Sequence, residues 1–563
     1  MSQTGAVFTS WGRKAQRAAC SVAQQPRELG KYCSLLILWL FLFSPIVLKI
    51  ILGNETARFD KSFLFSVLAT VLWAGFFHFS ARRPLWLHAL LLPLYITTGI
   101  DLFLITTFGT RFSSGYVIIG MTNLTSGDDF FATYARPALL ISALTAAIYA
   151  LGLFGIRRLE LRSRPTISFA CLGILLLAYG TLIWRSLSDQ STFEKAALEV
   201  TGYENSAPMG AVFQTCLAVY LFHQESGLKD ARERQHFGAT EVKGHEGEVY
   251  VWVVGESSRA LNWSLFGYSR KTTPYLDATP GIVALPNMLS TAPLTEVAVP
   301  SMLSPWAITD WRGILANRSV VSAFNEVGFT THWLSTQRVD GWTGAIPWIS
   351  AEAKHVQYFD QAFDGVTLKK FQEILAAAKP GEKLFIVLHT NGSHFAYQRR
   401  YPADFAHFHR EHAAYREQMI DEYDNTVLYT DWLLHKLISA LADSHRAAAL
   451  IYASDHGENL LDDRAAILGH GVGTAYDLHP AAFVWFSDAL RAKRPQAWQS
   501  AVTNSDAKLS LTNLPHSALD LAGIQIPQLD RGKSIFNPSF VANERWYNVR
   551  GTLYSDVGQL AGK

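Results

Sequence analysis

The sequence predicts two parts: an N-terminal transmembrane domain of five helices, and a C-terminal α/β soluble domain with a mainly parallel sheet between helices. The first third of the 563-residue chain is nearly continuous apolar sequence, whereas the remainder has the mixed composition of a soluble protein. From Glu248 onward, β-branched and aromatic runs alternate with helical periodicity, which is typical of parallel sheets covered on both faces. We expect residues 1–187 to form the membrane domain, 188–247 an amphipathic bridging helix and linker, and 248–563 the soluble domain.

Five apolar stretches are each long enough to cross a bilayer, which needs about 20 residues. Lys and Arg concentrate in the N-terminal tail and in the second and fourth loops, so the N-terminus is predicted to be cytoplasmic. An odd number of spans then places the soluble domain outside, in the periplasm of a Gram-negative cell. The stretches are roughly Tyr32–Leu52, Phe63–Ser80, Pro84–Gly109, Pro137–Ile156 and Thr166–Leu187.

A sixth apolar segment, Ala207–His223, is short and is interrupted by Gln214 and Thr215. We interpret it as an interfacial helix that joins the two parts. If it spanned the membrane instead, the soluble domain would be cytoplasmic. The highly charged stretch Gly227–Gly247 that follows is predicted to be a linker.

Charge and cysteine content exclude some classes of function. The net charge is +2, so nothing indicates a nucleic-acid partner. The four cysteines are all in the N-terminal part, the last being Cys216, so the soluble domain has neither disulfides nor a thiolate metal site.

Polar side chains follow the buried strand runs of the soluble domain. Glu256 follows the run Val249–Val254, and Asp455 and His456 follow another such run. Open α/β sheets place their ligands at the carboxyl ends of strands. Two carboxylates, an imidazole and the hydroxyl of Thr295 form a donor set that suits Zn²⁺, and a threonine oxygen beside such a cation becomes a nucleophile. If Thr295 opens a helix, the helix N-terminus would also help to hold a phosphate.

Each of these elements alone is also compatible with a structural role, and the Asp-His-Gly turn most of all. The outward loop Thr110–Arg136, with Thr122 and Asn123, is either a solvated loop or the lining of a head-group site. The combination of elements is what indicates catalysis.

The motifs together resemble those of the membrane-anchored phosphoethanolamine transferases of the alkaline phosphatase/sulfatase superfamily. These include lipid A modifying and mobile colistin-resistance enzymes, some of which confer polymyxin resistance. The similarity covers nearly the whole chain. The motifs are Val253–Arg259, Ser264–Pro274, Thr295 before Val299–Met302, Gly392–His394 with Arg400–Pro402, Tyr423–Thr426, Ser454–Glu458, His470–Gly471 and Val484–Ser487.

The resemblance implies a role for each matching residue. It implies that one zinc ion is held by the side chains of Glu256, Thr295, Asp455 and His456, and that Thr295 takes the phosphoethanolamine. Two histidines would bind the phosphate, assist proton transfer as catalytic residues or hold a second metal; they are His394 and His470. Looser matches place three side chains near the head group, namely Gln337, Thr122 and Asn123.

The chain departs from the family at the loop that carries the nucleophile. Many relatives brace that loop with a disulfide, where this chain has Thr291 and Ser301. We expect packing alone to hold it, with Pro293 and Pro300 adding stiffness. Two further departures are Gly341-Trp342, where lipid A enzymes have a lysine, and Ser126, where the family has a glutamate. These departures favour core sugars or other glycans over lipid A as the acceptor.

The implied reaction transfers phosphoethanolamine from phosphatidylethanolamine, through a phospho-threonine intermediate, to an envelope acceptor: a lipopolysaccharide core sugar, lipid A or another glycan. The resemblance further implies a multi-pass, monomeric protein of the bacterial inner membrane. The alternatives are a glycerol-phosphate or other phospho-head-group transferase, and a non-enzymatic scaffold. A sulfatase is disfavoured, because the nucleophile region lacks the Cys/Ser-x-Pro-x-Arg signature.

Overall fold

The computed structural model describes residues 39–48, 51, 61–80, 84–108, 112, 117, 127–156, 164–189, 210–242, 244–337, 345–359, 362–462, 466–549 and 552–556. The chain divides into two compact units. The first comprises Met1–Val117 and Ala135–Val219, and the second comprises Ile118–Tyr134 and Tyr220–Lys563. The second unit thus begins earlier than the predicted boundary at residue 248 and includes a segment of the N-terminal third.

Helices account for nearly all of the described residues up to Arg234. The helix Gly127–Ile156 contains a segment, Thr133–Phe154, that is long and apolar enough to cross a membrane by length and composition. The mean hydropathy of this 22-residue segment is 1.9. Shorter apolar helices overlap the other four predicted spans, so the number of spans stays a prediction. The helices are Trp39–Leu48, Lys61–Ser80, Pro84–Leu90, Leu92–Phe108, Gly127–Ile156, Pro165–Asp189 and Gly210–Arg234.

The third predicted span, Pro84–Gly109, differs from a continuous helix. It consists of two helices, Pro84–Leu90 and Leu92–Phe108, separated by a turn at Leu91. Pro93 lies at the second position of the later helix, where its missing N–H is tolerated, but it cannot donate to a carbonyl of the preceding turn. The proline therefore accounts for the break.

Seven strands form the central sheet of the second unit. They are β1 (Val249–Gly255), β2 (Ile282–Ala284), β3 (Thr330–Ser335), β4 (His355–Tyr358), β5 (Leu384–His389), β6 (Ala448–Ser454) and β7 (Ala482–Phe486). Their order in the sheet is β2-β7-β6-β1-β5-β3-β4. Only β7 runs antiparallel to its neighbours, and the other adjacent pairs are parallel. The predicted mainly parallel α/β sheet is confirmed.

The sheet has a hydrophobic core on each face. Alternate residues of a strand point to opposite faces, so Trp252 joins one buried cluster with Phe385, while Val251 joins the other with Ile386. Burial on both faces explains why β1, β5 and β6 are continuous apolar runs rather than alternating ones.

The remaining elements surround this sheet. The α-helices are Pro274–Asp277, Thr295–Met302, Trp311–Ala316, Val320–Glu326, Ala345–Ser350, Val366–Ala377, Tyr415–Asp443, Asp488–Lys493, Pro495–Asn504 and Asn513–Leu521. Short 3₁₀ turns are Ala260–Asn262, Ser264–Phe266, Tyr397–Arg399, Ala403–Phe405 and Arg531–Lys533. The paired short strands are Thr240–Glu241 with Ile524–Gln525, Met288–Leu289 with Leu509–Ser510, Asn459–Leu460 with Leu468–Gly469, and Trp546–Val549 with Thr552–Ser555.

Strand register brings the predicted site residues to one edge of the sheet. Gly255 at the end of β1 is paired with Ser454 at the end of β6, so Glu256 and Asp455 leave the sheet side by side. A Cβ at Gly255 would lie 2.6 Å from the Tyr452 hydroxyl oxygen, so only glycine fits here. The pairing of β1 with β6 therefore places the two carboxylates next to each other.

The charged stretch predicted as a linker is helical in its first part, because the helix Gly210–Arg234 continues through it. Within the second unit the Arg232 guanidinium is buried, and its Nε donates to Glu352 Oε1 at 2.9 Å. Arg232 also donates to the carbonyl oxygens of Ile314 and Asn317. The stretch is thus held by a buried ion pair that composition alone did not reveal.

Replacing Arg232 with Met is expected to destabilise the second unit by about 3–5 kcal/mol, because Glu352 would keep a buried charge without its cationic partner. Urea unfolding followed by tryptophan fluorescence measures this change. The exposed Arg234 gives the matched control: Arg234→Met should stay within about 0.5 kcal/mol of the wild type. Equal effects of the two substitutions would contradict the role of the buried pair.

Candidate functional site

The predicted nucleophile, Thr295, is the first residue of the helix Thr295–Met302. Its hydroxyl donates to Glu256, with oxygen–oxygen distances of 3.1 Å and 3.3 Å to the two carboxylate oxygens. The same oxygen lies 3.2 Å from Nε2 of His456. Thr295 therefore opens a helix, which was the condition for a phosphate-binding helix N-terminus, and its hydroxyl lies between two of the predicted metal ligands.

Donor atoms of the other three predicted zinc ligands lie around Nε2 of His456. His456 Nε2 lies 3.4 Å from Glu256 Oε1 and 3.4 Å from Asp455 Oδ2. Together with the distances from Thr295 to Glu256 and His456, these separations between potential ligand atoms range from 3.1 to 3.4 Å. A tetrahedral zinc ion with bonds of about 2.0–2.1 Å holds neighbouring ligand atoms about 3.3–3.4 Å apart. The spacing of these side chains therefore fits such an ion.

Asp455 offers an oxygen that the protein does not use. Its Oδ1 accepts from the backbone N–H groups of Ser257, at 3.1 Å, and His456, at 2.7 Å. Oδ2 is buried and has no hydrogen-bond partner among the described residues. A buried carboxylate oxygen without a donor is costly unless a cation faces it. Oδ2 lies 3.4 Å from His456 Nε2, so it is available as a ligand for a cation at this point.

The electrostatics of the set favour a positive charge beside the two carboxylates. Burial and the neighbouring Asp455 raise the pKa of Glu256 to about 7. Burial also raises the pKa of Asp455. Burial alone would lower the pKa of His456, but Asp455 and Glu256 outweigh it and raise that pKa to about 9. The two carboxylates thus favour a positive charge at this point, and the protonated ring of His456 provides one.

The imidazole of His456 is oriented for ligation. Its Nδ1 lies 2.8 Å from the carbonyl oxygen of Gly457, which can only accept, so Nδ1 carries the hydrogen. Nε2 then faces Thr295 and Glu256. Gly457 is required here, because a Cβ would lie 2.2 Å from the carbonyl oxygen of Tyr476. A backbone carbonyl on the far nitrogen is a usual arrangement for a metal-binding histidine.

Gln337 lies beside the predicted ligands rather than apart from them. Its Nε2 donates to Glu256 Oε2 at 2.8 Å and to the carbonyl oxygen of Thr390 at 2.9 Å. The amide thereby fixes the orientation of Glu256. Its predicted role near the head group stays a prediction, and the predicted head-group residues Thr122 and Asn123 lie outside the described residues.

The two predicted histidines lie next to each other at this site. The ring centroids of His394 and His470 are 5.5 Å apart, and His470 is 4.3 Å from His456. Potential ligand atoms of His470, Glu256 and His456 all lie within 4.8 Å of one another. Burial lowers the pKa of His470 to about 3 and that of His394 well below its usual range, so both rings are neutral.

The hydroxyls of Ser257 and Ser258 have structural partners. Ser257 Oγ donates to Glu256 Oε1 at 2.7 Å, and its backbone φ is 56°, a strained value for a residue with a side chain. Ser258 Oγ accepts from the indole N–H of Trp263 at 2.9 Å. Neither hydroxyl is at the start of a helix, as that of Thr295 is.

Three supporting residues were not predicted from the sequence. Tyr397 donates to Glu458 Oε1 at 2.7 Å, and Glu458 Oε2 lies 2.8 Å from His470 Nδ1. Burial raises the pKa of Glu458 to about 8. Asp364 accepts from the backbone N–H groups of Asn391, at 2.8 Å, and Gly392, at 2.9 Å, and so fixes the loop that leads to His394. Glu458 belongs to the Ser454–Glu458 motif, which was the available signal; nothing in the sequence links Tyr397 or Asp364 to the site.

Comparison with known proteins agrees with this geometry. Residues 248–524 match the Sulfatase family. The chain is 26% identical over 474 residues to "Phosphoethanolamine transferase EptC" of Escherichia coli O18:K1:H7 (strain RS218 / NMEC), which covers 78% of this chain and 80% of the relative.

Solved structures extend this result to both parts of the chain. The C-terminal periplasmic domain of EcEptC from Escherichia coli, in complex with Zn, matches with a TM-score of 0.52 and 26% identity, over 56% of this chain and 94% of that one. The integral membrane protein lipooligosaccharide phosphoethanolamine transferase A (EptA) from Neisseria meningitidis matches over 89% of this chain and 97% of that one, with a TM-score of 0.65 and 20% identity. The resemblance to phosphoethanolamine transferases that the motifs predicted is confirmed.

The loop that carries the predicted nucleophile is held by more than the packing we predicted. The hydroxyls of Thr291 and Ser301 are hydrogen-bonded to each other, and both side chains are fully buried. Ser301 Oγ also donates to the carbonyl oxygen of Ala298 at 2.9 Å, so the hydrogen between the two hydroxyls comes from Thr291. A buried hydrogen bond thus joins the two positions at which the family resemblance implies a disulfide in many relatives.

Converting Thr291 and Ser301 together to cysteine is expected to give a disulfide under oxidising conditions. Closing a loop of this length stabilises a protein by about 2–3 kcal/mol in the chain-entropy description. Thermal unfolding of the oxidised variant against the same variant under reductant measures the gain, and the reduced form serves as the control. A free-thiol assay that finds both cysteines unpaired after oxidation would show that the two positions do not superpose on a disulfide.

Proposed function

We propose that this protein transfers phosphoethanolamine from phosphatidylethanolamine to an acceptor in the bacterial envelope, through a covalent intermediate on Thr295. The observation that carries the proposal is the position of the Thr295 hydroxyl. It lies at a helix start, 3.1 Å from Glu256 Oε2 and 3.2 Å from His456 Nε2, with the unpartnered oxygen of Asp455 among the surrounding donor atoms.

Zinc is the metal that the donor set fits best. Two carboxylates, one imidazole nitrogen and one hydroxyl oxygen form a four-ligand set of the kind Zn²⁺ accepts. The relative whose periplasmic domain is described in complex with Zn supports this choice. When bound, the ion would lower the pKa of the Thr295 hydroxyl and draw charge from the phosphoryl group. His394 and His470 are the nearest candidates to contribute to a second ion, should there be one.

In the first half-reaction the Thr295 oxygen attacks the phosphorus of phosphatidylethanolamine. The bond from phosphorus to the diacylglycerol oxygen breaks, and diacylglycerol leaves with a proton on that oxygen. The Thr295 hydrogen has an acceptor already in place, because the hydroxyl donates to Glu256. The positive end of the Thr295–Met302 helix favours the phosphate group at this point.

In the second half-reaction a hydroxyl oxygen of the acceptor attacks the same phosphorus, and the bond to Thr295 breaks. The Thr295 oxygen recovers a proton, and the acceptor hydroxyl loses one, so the enzyme is restored. The neutral rings of His394 and His470 are positioned beside this chemistry to exchange hydrogen bonds and protons with the substrates. Two successive transfers through one covalent intermediate give ping-pong kinetics.

The membrane part fits the substrates of this reaction. Phosphatidylethanolamine, the diacylglycerol product and a lipopolysaccharide acceptor are all membrane-associated, so an anchored enzyme meets them at the surface. We propose a monomeric multi-pass protein of the inner membrane with its N-terminus in the cytoplasm and its catalytic unit in the periplasm. Gln337, Thr122 and Asn123 are proposed head-group contacts. Mass spectrometry of lipopolysaccharide from cells with and without the protein identifies the acceptor.

Thr295→Ala is expected to abolish transfer while leaving the protein in the membrane, because the attacking oxygen is removed. Intact-mass measurement of the wild type after incubation with phosphatidylethanolamine should show one phosphoethanolamine adduct on the Thr295 peptide, and the Ala variant should show none. Thr295→Ser is the control that keeps a hydroxyl, and it should retain an adduct. An adduct found on Ser257 or Ser258 instead would refute the assignment of the nucleophile.

Zinc affinity is expected to fall as the pH falls, because the ion displaces protons from its ligands. His456 has a pKa of about 9 and Glu256 one of about 7, so binding should release about one proton near pH 8 and about two near pH 6. Calorimetric titration in buffers of different ionisation enthalpy counts these protons. His456→Ala removes one of the four proposed ligands and should weaken zinc binding across this pH range. An affinity that is constant from pH 6 to pH 9 would contradict the ligand set.

A further inference from the structure

The last described element of the chain is a hairpin that is fastened at its base. Its strands, Trp546–Val549 and Thr552–Ser555, pair antiparallel. The residues that flank them, Arg545 and Asp556, form a largely buried ion pair in which Arg545 Nη2 lies 2.8 Å from Asp556 Oδ2. Arg545 Nη1 also donates to the carbonyl oxygen of Asn287 at 2.9 Å. This C-terminal hairpin is therefore attached to the segment that leads into the loop of the predicted nucleophile.

Beyond its base, the C-terminal hairpin makes a backbone hydrogen bond to the nucleophile loop. The N–H of Asn548 donates to the carbonyl oxygen of Thr291 at 2.7 Å, and Thr291 precedes Thr295 by four residues. Residues of an antiparallel strand alternate between pairs that exchange hydrogen bonds across the ladder and pairs that do not. The N–H that bonds Thr291 is therefore not one that the hairpin itself needs. Thr291 is thus held on two sides, by Asn548 and by the hydroxyl of Ser301.

The next residue of the same strand contacts the loop that follows His470. Val549 packs on Gly473, which lies three residues beyond His470, and a Cβ at Gly473 would be 2.6 Å from Val549 Cγ2. Gly473 has a φ of 87°, and its N–H donates to Asp477 Oδ2 at 3.1 Å. Glycine is therefore required for the close approach of Val549. Asn548 and Val549 thus each contact a different loop of the site.

Apolar packing joins the same two loops to the C-terminal hairpin. Tyr547 forms a buried cluster with Leu289 and Leu478. Leu289 precedes the nucleophile loop, and Leu478 follows the loop of His470. The carbonyl oxygen of Leu478 also accepts from the N–H of Ser290 at 2.9 Å. Three successive residues of one strand, beginning with Tyr547, therefore connect the two loops.

We propose that the C-terminal hairpin holds the loop of Thr295 and the loop of His470 in their catalytic positions, with Asn548 and Val549 as its positioning residues. This inference rests on the proposed function, because it concerns the geometry of that reaction. The family resemblance implies a disulfide at the nucleophile loop in many relatives, and this chain has no cysteine there. The hairpin provides a noncovalent tether for that loop. Such a tether affects the rate, because misplacing a reacting group by about 1 Å can cost about 10²-fold.

The first test separates the C-terminal hairpin from the nucleophile loop. Asn548→Pro removes the donor and places its ring against the carbonyl oxygen of Thr291. We expect turnover to fall by about tenfold. The loss should appear in kcat rather than in KM, because the proposed contacts act on the loops and not on the bound substrate. Asn548→Ala is the matched control, since it keeps the backbone N–H and should turn over at the wild-type rate.

The second test weakens only the contact with the loop of His470. Val549→Ala removes the methyl groups that pack on Gly473, and we expect turnover to fall by about threefold, less than for a full separation of the hairpin. Leu553→Ala is the matched control: it shortens an exposed side chain on the partner strand of the same hairpin and should have no effect. Thermal unfolding of each variant checks that it is folded at the assay temperature.

A disulfide distinguishes positioning from a general loss of stability. The oxidised pair Thr291→Cys and Ser301→Cys fixes the nucleophile loop alone. Added to Asn548→Pro, it should restore about threefold in turnover, the share of the loss that comes from that loop. Added to Val549→Ala, it should restore nothing. If the hairpin served only to stabilise the fold, the disulfide would stabilise both variants and restore both. The same variants under reductant are the controls.

Hydrogen exchange tests the C-terminal hairpin without reference to activity. In Asn548→Pro, backbone amides of residues 288–303 should exchange faster than in Asn548→Ala, because the loop has lost a tether. In Val549→Ala, the faster exchange should be found in residues 469–478, and the nucleophile loop should be unaffected. Mass spectrometry of peptic peptides from the full-length protein in detergent measures both.

Turnover is measured on full-length protein in detergent micelles, as release of diacylglycerol from phosphatidylethanolamine with a fluorescent acyl chain, with purified lipopolysaccharide as acceptor. Wild-type turnover of Asn548→Pro would overturn the proposal, and so would unchanged exchange in residues 288–303 or equal rescue of both variants by the disulfide. If instead the wild type releases no diacylglycerol and forms no Thr295 adduct, the proposed function itself is wrong, and hydrogen exchange still shows whether the hairpin holds the two loops.

Discussion

Two buried carboxylates placed side by side are the constraint on which the rest of the site depends. The pairing of β1 with β6 brings Glu256 and Asp455 together, and both side chains are almost fully buried. Like charges in a buried place repel each other and lose their hydration, so the arrangement needs a compensating cation. The protonated ring of His456 is one such cation, and the spacing of the four donor atoms, His456 Nε2 among them, also suits a metal ion. The fold thus stores an unfavourable electrostatic arrangement that binding of a cation relieves.

Such close approach is achieved with glycine and with local strain. A Cβ at Gly392 would lie 2.6 Å from the carbonyl oxygen of Glu256, so the loop that carries His394 can pack against the Glu256 backbone only because this residue is glycine. Ser257 and Ala396 have positive φ values of 56° and 59°. Strained conformations of this kind cost about 1–3 kcal/mol each and persist where the surroundings impose them. Six non-glycine residues in the described part of the chain have positive φ, and these two follow Glu256 and His394 closely in the sequence, so part of the strain lies next to the groups that must be held in position.

The sequence predicted the parts of the site that follow from periodicity and strand ends, and missed those that follow from contacts between distant segments. β1, β5 and β6 are continuous apolar runs buried on both faces, so their carboxyl ends could be located, and with them Glu256, Asp455 and His456. The edge strand β4 is mostly exposed and has no apolar pattern, so it was not predicted. The charged residues up to Arg234 had the composition of a linker, and their helix is explained by the buried partner of Arg232 far along the chain. Tyr397 and Glu458 are 61 positions apart, and no pattern in either segment reports that they meet.

The choice of nucleophile illustrates how contacts decide what a motif leaves open. Ser257 stands directly beside Glu256 and is the more conspicuous hydroxyl in the sequence, yet it is fully buried and its hydrogen is donated to Glu256. Its oxygen also lies near His470 Nδ1, so moving it towards a substrate would break contacts on both sides. Thr295 is half-buried, opens a helix whose positive end faces an anion, and has both Glu256 and His456 within 3.3 Å. An attacking hydroxyl needs access to the phosphorus as well as a partner for its hydrogen. Thr295 meets both requirements, whereas Ser257 meets only the second and serves to hold Glu256 and His470 in place.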